Sequence, residues 1–190
     1  MAFECERGAP INCLELKSNA DPSVTGLYGG PVNIENSSIR YKAGGQPVTE
    51  PAYSASGGVM VNFTSTQFIG VPIPAGSEDA ESQVNIDNPP PVTSIVIPSS
   101  GAILSGTKTF DASGSDSLAS NGVTKVEYHL LGGGAQDIVI ATAIPTIYGW
   151  VGVWDTTTVP NNISYELQSV AYDSNGDSSY SAPVPVVVHN

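Results

Sequence analysis

A chain of 190 residues is long enough for one or two domains, each able to bury its own core. Six Lys and Arg against 18 Asp and Glu give a formal net charge of −12, which makes a nucleic-acid backbone or an anionic membrane surface a poor partner. Only 13% of residues are charged, while 20 Gly and 15 Pro punctuate stretches rich in Val, Ile, Ser and Thr, a composition that leaves little room for helix and reads as many short strands.

The chain opens on Met-Ala-Phe-Glu-Cys-Glu-Arg, which carries no apolar signal core, and no later apolar run approaches the roughly 18 residues needed to span a bilayer. The expectation is an unprocessed chain, with a fragment of a surface protein as the alternative. Cys5 and Cys13, the two cysteines, either form a disulfide closing a short loop, contributing up to about 3 kcal/mol in an oxidising compartment, or stand as free thiols. A metal site there is not expected, because four ligands are wanted and His129 and His189 are remote in sequence.

Residues 32–41, 58–63, 67–71 and 83–86 read as strands, and 19–31 and 43–56 as loops. The result is a small all-β domain with long loops, marginal by itself and helped by neighbours in an oligomer. Glu78, Asp79 and Glu81 form a compact acidic patch near its end, either a solvated face or a contact with a basic partner subunit. The run Pro89-Pro90-Pro91 continues neither helix nor central strand, so the expected division is an N-terminal domain over 1–88, a proline linker over 89–91 and a second domain over 92–190.

Beyond the prolines, strands are expected at 93–97, 106–112, 124–131, 138–143, 147–154, 164–172 and 179–188, the arithmetic of an immunoglobulin-like sandwich. Alternation sends Val126, Tyr128 and Leu130 toward a core and Lys125, Glu127 and His129 toward solvent. Tyr165, Leu167, Ser169 and Ala171 likewise oppose Glu166, Gln168, Val170 and Tyr172. The segments PVTSIVIPSSGAILSG at 91–106, VTKVEYHL at 123–130, WDTTTVPN at 154–161 and AYDSNGDSSYSAPVPVVV at 171–188 resemble the bacterial and phage immunoglobulin-like (Big-type) repeat domain. The resemblance covers the last 100 residues or so and implies a fold rather than an activity, since such domains serve as spacers, adhesion modules and accessories. It implies an all-β protein whose C-terminal half is an immunoglobulin-like β-sandwich without an inter-sheet cysteine pair.

No GxSxG elbow, HExxH, CxxC or glycine-rich phosphate loop occurs, so neither catalytic residue nor cofactor is expected; His129 reads as a surface histidine and His189 as an exposed terminal one. Asp173, Asn175 and Asp177 offer oxygens at spacings of two, as calcium loops do, and Asp111, Ser113, Ser115 and Asp116 form a second such stretch. The remainder of an EF-hand loop is missing, so plain turns are the expectation. Trp154 is assigned to the core, while Trp150 is read as a core residue or as a glycan-stacking platform.

The function expected from these readings is a non-enzymatic structural or display protein. The first choice is a phage virion accessory, a capsid decoration or tail-associated protein. Its N-terminal domain attaches to the major capsid or tail protein or to copies of itself, and its sandwich projects from the virion surface toward a host-surface glycan. A fragment of a bacterial cell-surface or secreted adhesin is the alternative, and an accessory carbohydrate-binding module the third.

Overall fold

The computed structural model describes residues 2–5, 14–17, 31–41, 44–116 and 122–190. Among the described residues, ten strands precede the proline run: β1 (Ala2–Cys5), β2 (Leu14–Lys17), β3 (Val32–Glu35), β4 (Ser38–Tyr41), β5 (Tyr53–Ser56), β6 (Met60–Thr64), β7 (Gln67–Ile69), β8 (Val71–Pro72), β9 (Gly76–Glu78) and β10 (Gln83–Ile86). Ten follow it: β11 (Val92–Ile97), β12 (Ala102–Leu104), β13 (Thr107–Ser115), β14 (Val123–Gly132), β15 (Ala135–Thr142), β16 (Ile144–Pro145), β17 (Trp150–Asp155), β18 (Ile163–Asp173), β19 (Ser178–Tyr180) and β20 (Val184–Val188). A 3-10 turn, Thr156–Thr158, is capped by the Asp155 carboxylate, and the described residues contain no α-helix.

Three parallel sheets organise the first half, β1-β4-β7, β2-β5-β9 and β3-β6-β10, each taking one strand from each of three successive passes of the chain. The chain therefore coils as a three-sided parallel β-solenoid, in which strands of three to five residues share a core that none could hold alone. Ile39, Tyr53, Ala55, Val61, Phe63 and Phe68 point inward and are buried. The ring of Phe63 lies 5.2 Å from that of Tyr53 and 5.5 Å from that of Phe68, and Ile34 and Ile86 stack in register above and below it. Gly76 is required at its position, because a Cβ there would stand 2.2 Å from the Tyr53 ring. The corners after β3 and β6 turn through the left-handed residues Asn36 (φ 49°) and Ser65 (φ 50°), where Asn36 N donates to Thr64 O at 3.1 Å and Ser65 N to the Asp87 carboxylate at 2.8 Å.

The second half is an immunoglobulin-like β-sandwich. One sheet runs β11-β13-β17-β16 and the other β12-β20-β18-β14-β15, so the opening segment is divided between the two sheets. Phe110, Tyr128, Leu130, Trp154, Tyr165, Leu167 and Val186 fill the space between them, with Phe110 5.3 Å from Tyr128 and 6.0 Å from Trp154. The expected segment 179–188 breaks into β19 and β20, and the short strands β12 and β16 fall outside the expected set. In the first half, 32–41 divides at the Asn36 corner, and 43–56 is not all loop: it contains β5, whose Tyr-Ser-Ala-Ser sequence carries too little apolar bulk to announce a strand.

The two bodies are joined by more than the prolines. Strand β8 of the solenoid pairs in parallel with β19 of the sandwich, Ser179 opposite Val71 and Tyr180 opposite Pro72. Val170 and Tyr180 belong to the same apolar cluster as Ile39, Phe68 and Val71. The solenoid thus roofs the outer face of β14 and β18, and Leu131, Gln168 and Val170 are buried on the side opposite the sandwich core.

Candidate functional site: the joint between solenoid and sandwich

Gln168 lies on the outer face of β18 and is fully buried. Its amide acts as a strand substitute for the loop before β5: Val48 N donates to Oε1 at 3.2 Å, while Nε2 donates to Val48 O at 3.3 Å and to Ser181 O at 2.6 Å. Gly132 N reaches the same loop, donating to Gly45 O at 3.2 Å. These bonds satisfy backbone groups that the roof would otherwise strand away from water.

Next to it, β14 and β15 carry a chain of charged groups. The His129 Nδ1 is 2.6 Å from Asp137 Oδ1, the Tyr180 hydroxyl donates to Asp137 Oδ2 at 2.9 Å, and Lys125 Nζ donates to Glu127 Oε1 at 3.1 Å. Lys125 also lies over the Tyr172 ring, 3.8 Å from its centre. The β14–β15 pairing is bulged around His129 and Leu130 and Asp137 takes a left-handed φ of 60°, the kind of irregularity that re-aims a side chain. Burial pushes the Glu127 carboxyl up, but the Tyr172 hydroxyl and the Lys125 and His129 charges outweigh it and hold it below its ordinary value. Burial, followed by the Glu127 contact, pushes the Tyr172 hydroxyl up.

His129 is therefore not the surface histidine that strand alternation implies: it is 6% exposed, because the solenoid covers the face that alternation assigns to solvent. A histidine oriented by a carboxylate is the arrangement of a general base. Here Nε2 is buried, makes no hydrogen bond and stands 3.7 Å from Glu127 Oε2. A cleft of about 180 Å³ opens beside it, lined by Tyr41, Ile69, Asp137, Tyr172, Ser178 and Tyr180. The Tyr41 hydroxyl donates to Glu50 O, and burial with the nearby Glu50 charge pushes it up to about 12.

The turn between β18 and β19 lies under the third pass of the solenoid. Asp173 Oδ1 accepts Asn175 N and Asp177 N, both at 2.9 Å, and Asp177 Oδ1 accepts Phe68 N at 2.6 Å. Asn88 Nδ2 donates to Asp177 Oδ2, Asn175 Nδ2 to Asn88 Oδ1 at 3.0 Å, and Gln67 Nε2 to Asn175 O at 2.8 Å. Asp177 is fully buried, and its carboxyl is pushed up to about 6 by burial and by the charges of Asp173 and Asp116, against the lowering effect of its amide donors. Asp116 and Asp173, taken from the two oxygen-rich stretches of the sequence, thus act on one buried carboxyl. Among the described residues, no three His, Cys, Asp or Glu side chains already stand grouped as metal ligands.

The other residues singled out in the sequence are dispersed. Glu78, Asp79 and Glu81 are all exposed at the end of β9 and just beyond it; Asp79 accepts Gly57 N at 2.7 Å and Ser82 N at 2.8 Å, and hydrogen bonds from the Ser82 side chain and the Gly57 amide hold its carboxyl below the usual range. Trp150 faces inward at the margin of the sandwich core; a Cβ on Gly114 would stand 2.9 Å from its indole nitrogen. Its carbonyl accepts the Tyr128 hydroxyl at 2.6 Å. Whether Cys5 and Cys13 form a disulfide or stand as free thiols, left open by the sequence, lies outside the described residues.

Sequence reasoning missed the solenoid and an amide ladder on its outside. Asn85 Nδ2 donates to Asn62 Oδ1 and Asn62 Nδ2 to Asn33 Oδ1, each at 2.9 Å, across three residues in register. The signal was present: Val-Asn-Ile-Glu at 32–35, Val-Asn-Phe-Thr at 61–64 and Val-Asn-Ile-Asp at 84–87 are one motif three times, which is the mark of stacked repeats.

No family model and no curated protein matches the chain. Among solved structures it is similar to the fibronectin(III)-like modules of Clostridium thermocellum CbhA, at 20% identity and a TM-score of 0.37 over 52% of this chain and 96% of that one. It is also similar to the endo-beta-1,4-mannanase from Thermotoga petrophila, at 16% identity and a TM-score of 0.41 over 70% of this chain and 40% of that one.

Proposed function

We propose that the chain is a non-enzymatic structural protein in which the solenoid is the anchoring body and the sandwich the displayed one. The observation that carries this reading is the joint itself. A shared apolar cluster, a strand pairing between the bodies and the buried Gln168 amide fix the sandwich at one angle to the solenoid. A display element gains from such rigidity, because ordering is completed before any partner is met. The burial of His129 Nε2 beside Glu127 favours the same reading over hydrolytic chemistry.

The surface we propose is that of a virion, with Glu78 and Glu81 meeting a basic lattice and the sandwich projecting outward; a bacterial cell-surface adhesin is the second reading. The test is immunogold electron microscopy of virions and of intact cells from the source culture, using antibody raised against the full chain. Label on virions is the expected result, and label on cell envelopes alone transfers the protein to the second reading. Protein found free of both overturns display. Trp150 enters neither reading, since its ring lies against Gly114 at the core margin.

A further inference from the structure

We propose that the first-pass end of the solenoid is a pairing surface for a second copy of this chain, the two β3 strands meeting antiparallel across a two-fold axis at Asn33. This deepens the reading of the solenoid as the anchoring body, and the two fail separately: labelling reads where the protein sits, whereas the masses below read whether it pairs.

The first observation is a pair of apolar columns that stop short. Val32 lies in register with Val61, and Ile34 with Phe63, and those second-pass partners are 0% and 1% exposed. Val32 holds the same inward position one pass earlier yet is 37% exposed, and Ile34 is only half-buried. The end of a solenoid needs either a polar cap or a further layer. Val-Asn-Ile-Glu at 32–35 repeats the interior motif instead of breaking it, so this edge is built as one more rung and not as a cap.

The second observation is open hydrogen bonding at the same edge. In the sheet β10-β6-β3, β3 pairs with β6 on one side and, among the described residues, with no strand on the other. The amide ladder runs toward it, each step donating from Asn85 to Asn62 and from Asn62 to Asn33, which leaves the Asn33 Nδ2 without an acceptor among the described residues. An unpaired strand edge is a template for a strand from another chain.

The opposite end of the solenoid is different. There the turn of the sandwich occupies the third pass, Asp177 Oδ1 accepting Phe68 N at 2.6 Å and Ser178 Oγ accepting Gly70 N at 2.9 Å. A head-to-tail stack would have to displace these bonds, so the copies meet first pass to first pass, as a two-fold axis requires. Centring the pair on Asn33 sets Val32 opposite Ile34, which keeps inward residues inward and lets each Asn33 Nδ2 donate to its mate's Oδ1. The one charge on the strand, Glu35, then faces Pro31 and lies about 14 Å from its mate, beyond the roughly 8 Å screening length of physiological salt.

The experiment is light scattering and sedimentation of the full chain across a dilution series up to about 100 μM, which detects association down to that Kd. The wild type is expected to reach twice the single-chain mass. Val32→Lys, which places a charge in the open column, is expected to stay at single-chain mass with its circular dichroism unchanged. Ile103→Lys, at a 69% exposed position on the sandwich, is expected to pair as the wild type does. The register is read by oxidising Asn33→Cys, since facing Cβ atoms about 4.5–5.5 Å apart are within reach of a disulfide. A bond between the two introduced thiols, located by peptide mass spectrometry, is expected there and not in Asn85→Cys at the other end of the ladder. A wild type that stays at single-chain mass overturns the proposal, as does a folded Val32→Lys that still pairs, or cross-linking through Asn85→Cys in place of Asn33→Cys. Should Val32→Lys fail to fold, the cross-link alone decides.

Discussion

Replacing Gln168 by Ala is the sharpest probe of the joint. The substitution removes three hydrogen bonds, at 3.2, 3.3 and 2.6 Å, and leaves Val48 N, Val48 O and Ser181 O facing a void in a region where Gln168 is fully buried and Val48 is 1% exposed. Each neutral bond is worth about 1 kcal/mol net, and a buried group left unpaired costs about 1–3 kcal/mol. The two long bonds to Val48 fall at the weak end and the short bond to Ser181 at the strong end, so the expected loss is about 3–4 kcal/mol, a large share of the roughly 5–15 kcal/mol of a typical domain. Urea unfolding of the full chain, followed by the fluorescence of Trp150 and Trp154 and by far-ultraviolet circular dichroism, measures it. The two probes are expected to coincide in the wild type, because solenoid and sandwich share one apolar cluster. A loss below about 1 kcal/mol, or wild-type amide exchange at Val48 in the variant, refutes the view that Gln168 ties the roof down.

Gly76→Ala drives a methyl to within 2.2 Å of the Tyr53 ring and is expected to cost about 1–3 kcal/mol in urea unfolding, a cost that Tyr53→Ala in the same chain reduces. Asn62→Ala cuts both bonds of the amide ladder, and because the ladder lies in partial contact with water its expected cost is about 1 kcal/mol, with Asn33→Ala, which cuts one, costing roughly half as much by the same measurement. Asp177 binds its proton more tightly folded, with a pKa of about 6, than the ordinary 3.8. Stability from this group is therefore greatest at low pH and is lost as pH rises through about 6. Asp177→Asn, which stays neutral, is expected to gain stability relative to the wild type between about pH 4 and pH 7 in parallel urea titrations. A pH-independent difference contradicts the assignment.

Legibility in the sequence followed strand length. The long strands β13, β14 and β18 announce themselves, since Val126, Tyr128 and Leu130 or Tyr165, Leu167 and Ala171 give three or four turns of a two-residue period. The solenoid strands are only two to five residues long, too short for a period to register, and their core is assembled from stacking between passes rather than from alternation within one. The repeated Val-Asn dipeptide was the readable trace, and it becomes meaningful only once the three copies are aligned. At the joint, alternation placed Glu127, His129, Gln168 and Val170 correctly on one face but named the wrong environment for it. What covers that face comes from residues more than 100 positions away, as between Val48 and Gln168, and local pattern carries no record of so distant a roof. The acidic turn was half visible: each oxygen-rich stretch stood out, but not that the fold would bring Asp116 to bear on Asp177.

The roofed sheet bears on how such a chain can be shuffled. A sandwich that keeps one sheet wet can be cut out at its linker and spliced elsewhere as a ready-made cassette. This one cannot be lifted out at Pro91 without baring Leu131, Val170 and Tyr180 and stripping Gln168 of its partner in the loop. The heritable unit is then the pair, and recombination that respects the proline run as a seam is expected to yield sticky, poorly folding halves, while exchange of both bodies together preserves the seal.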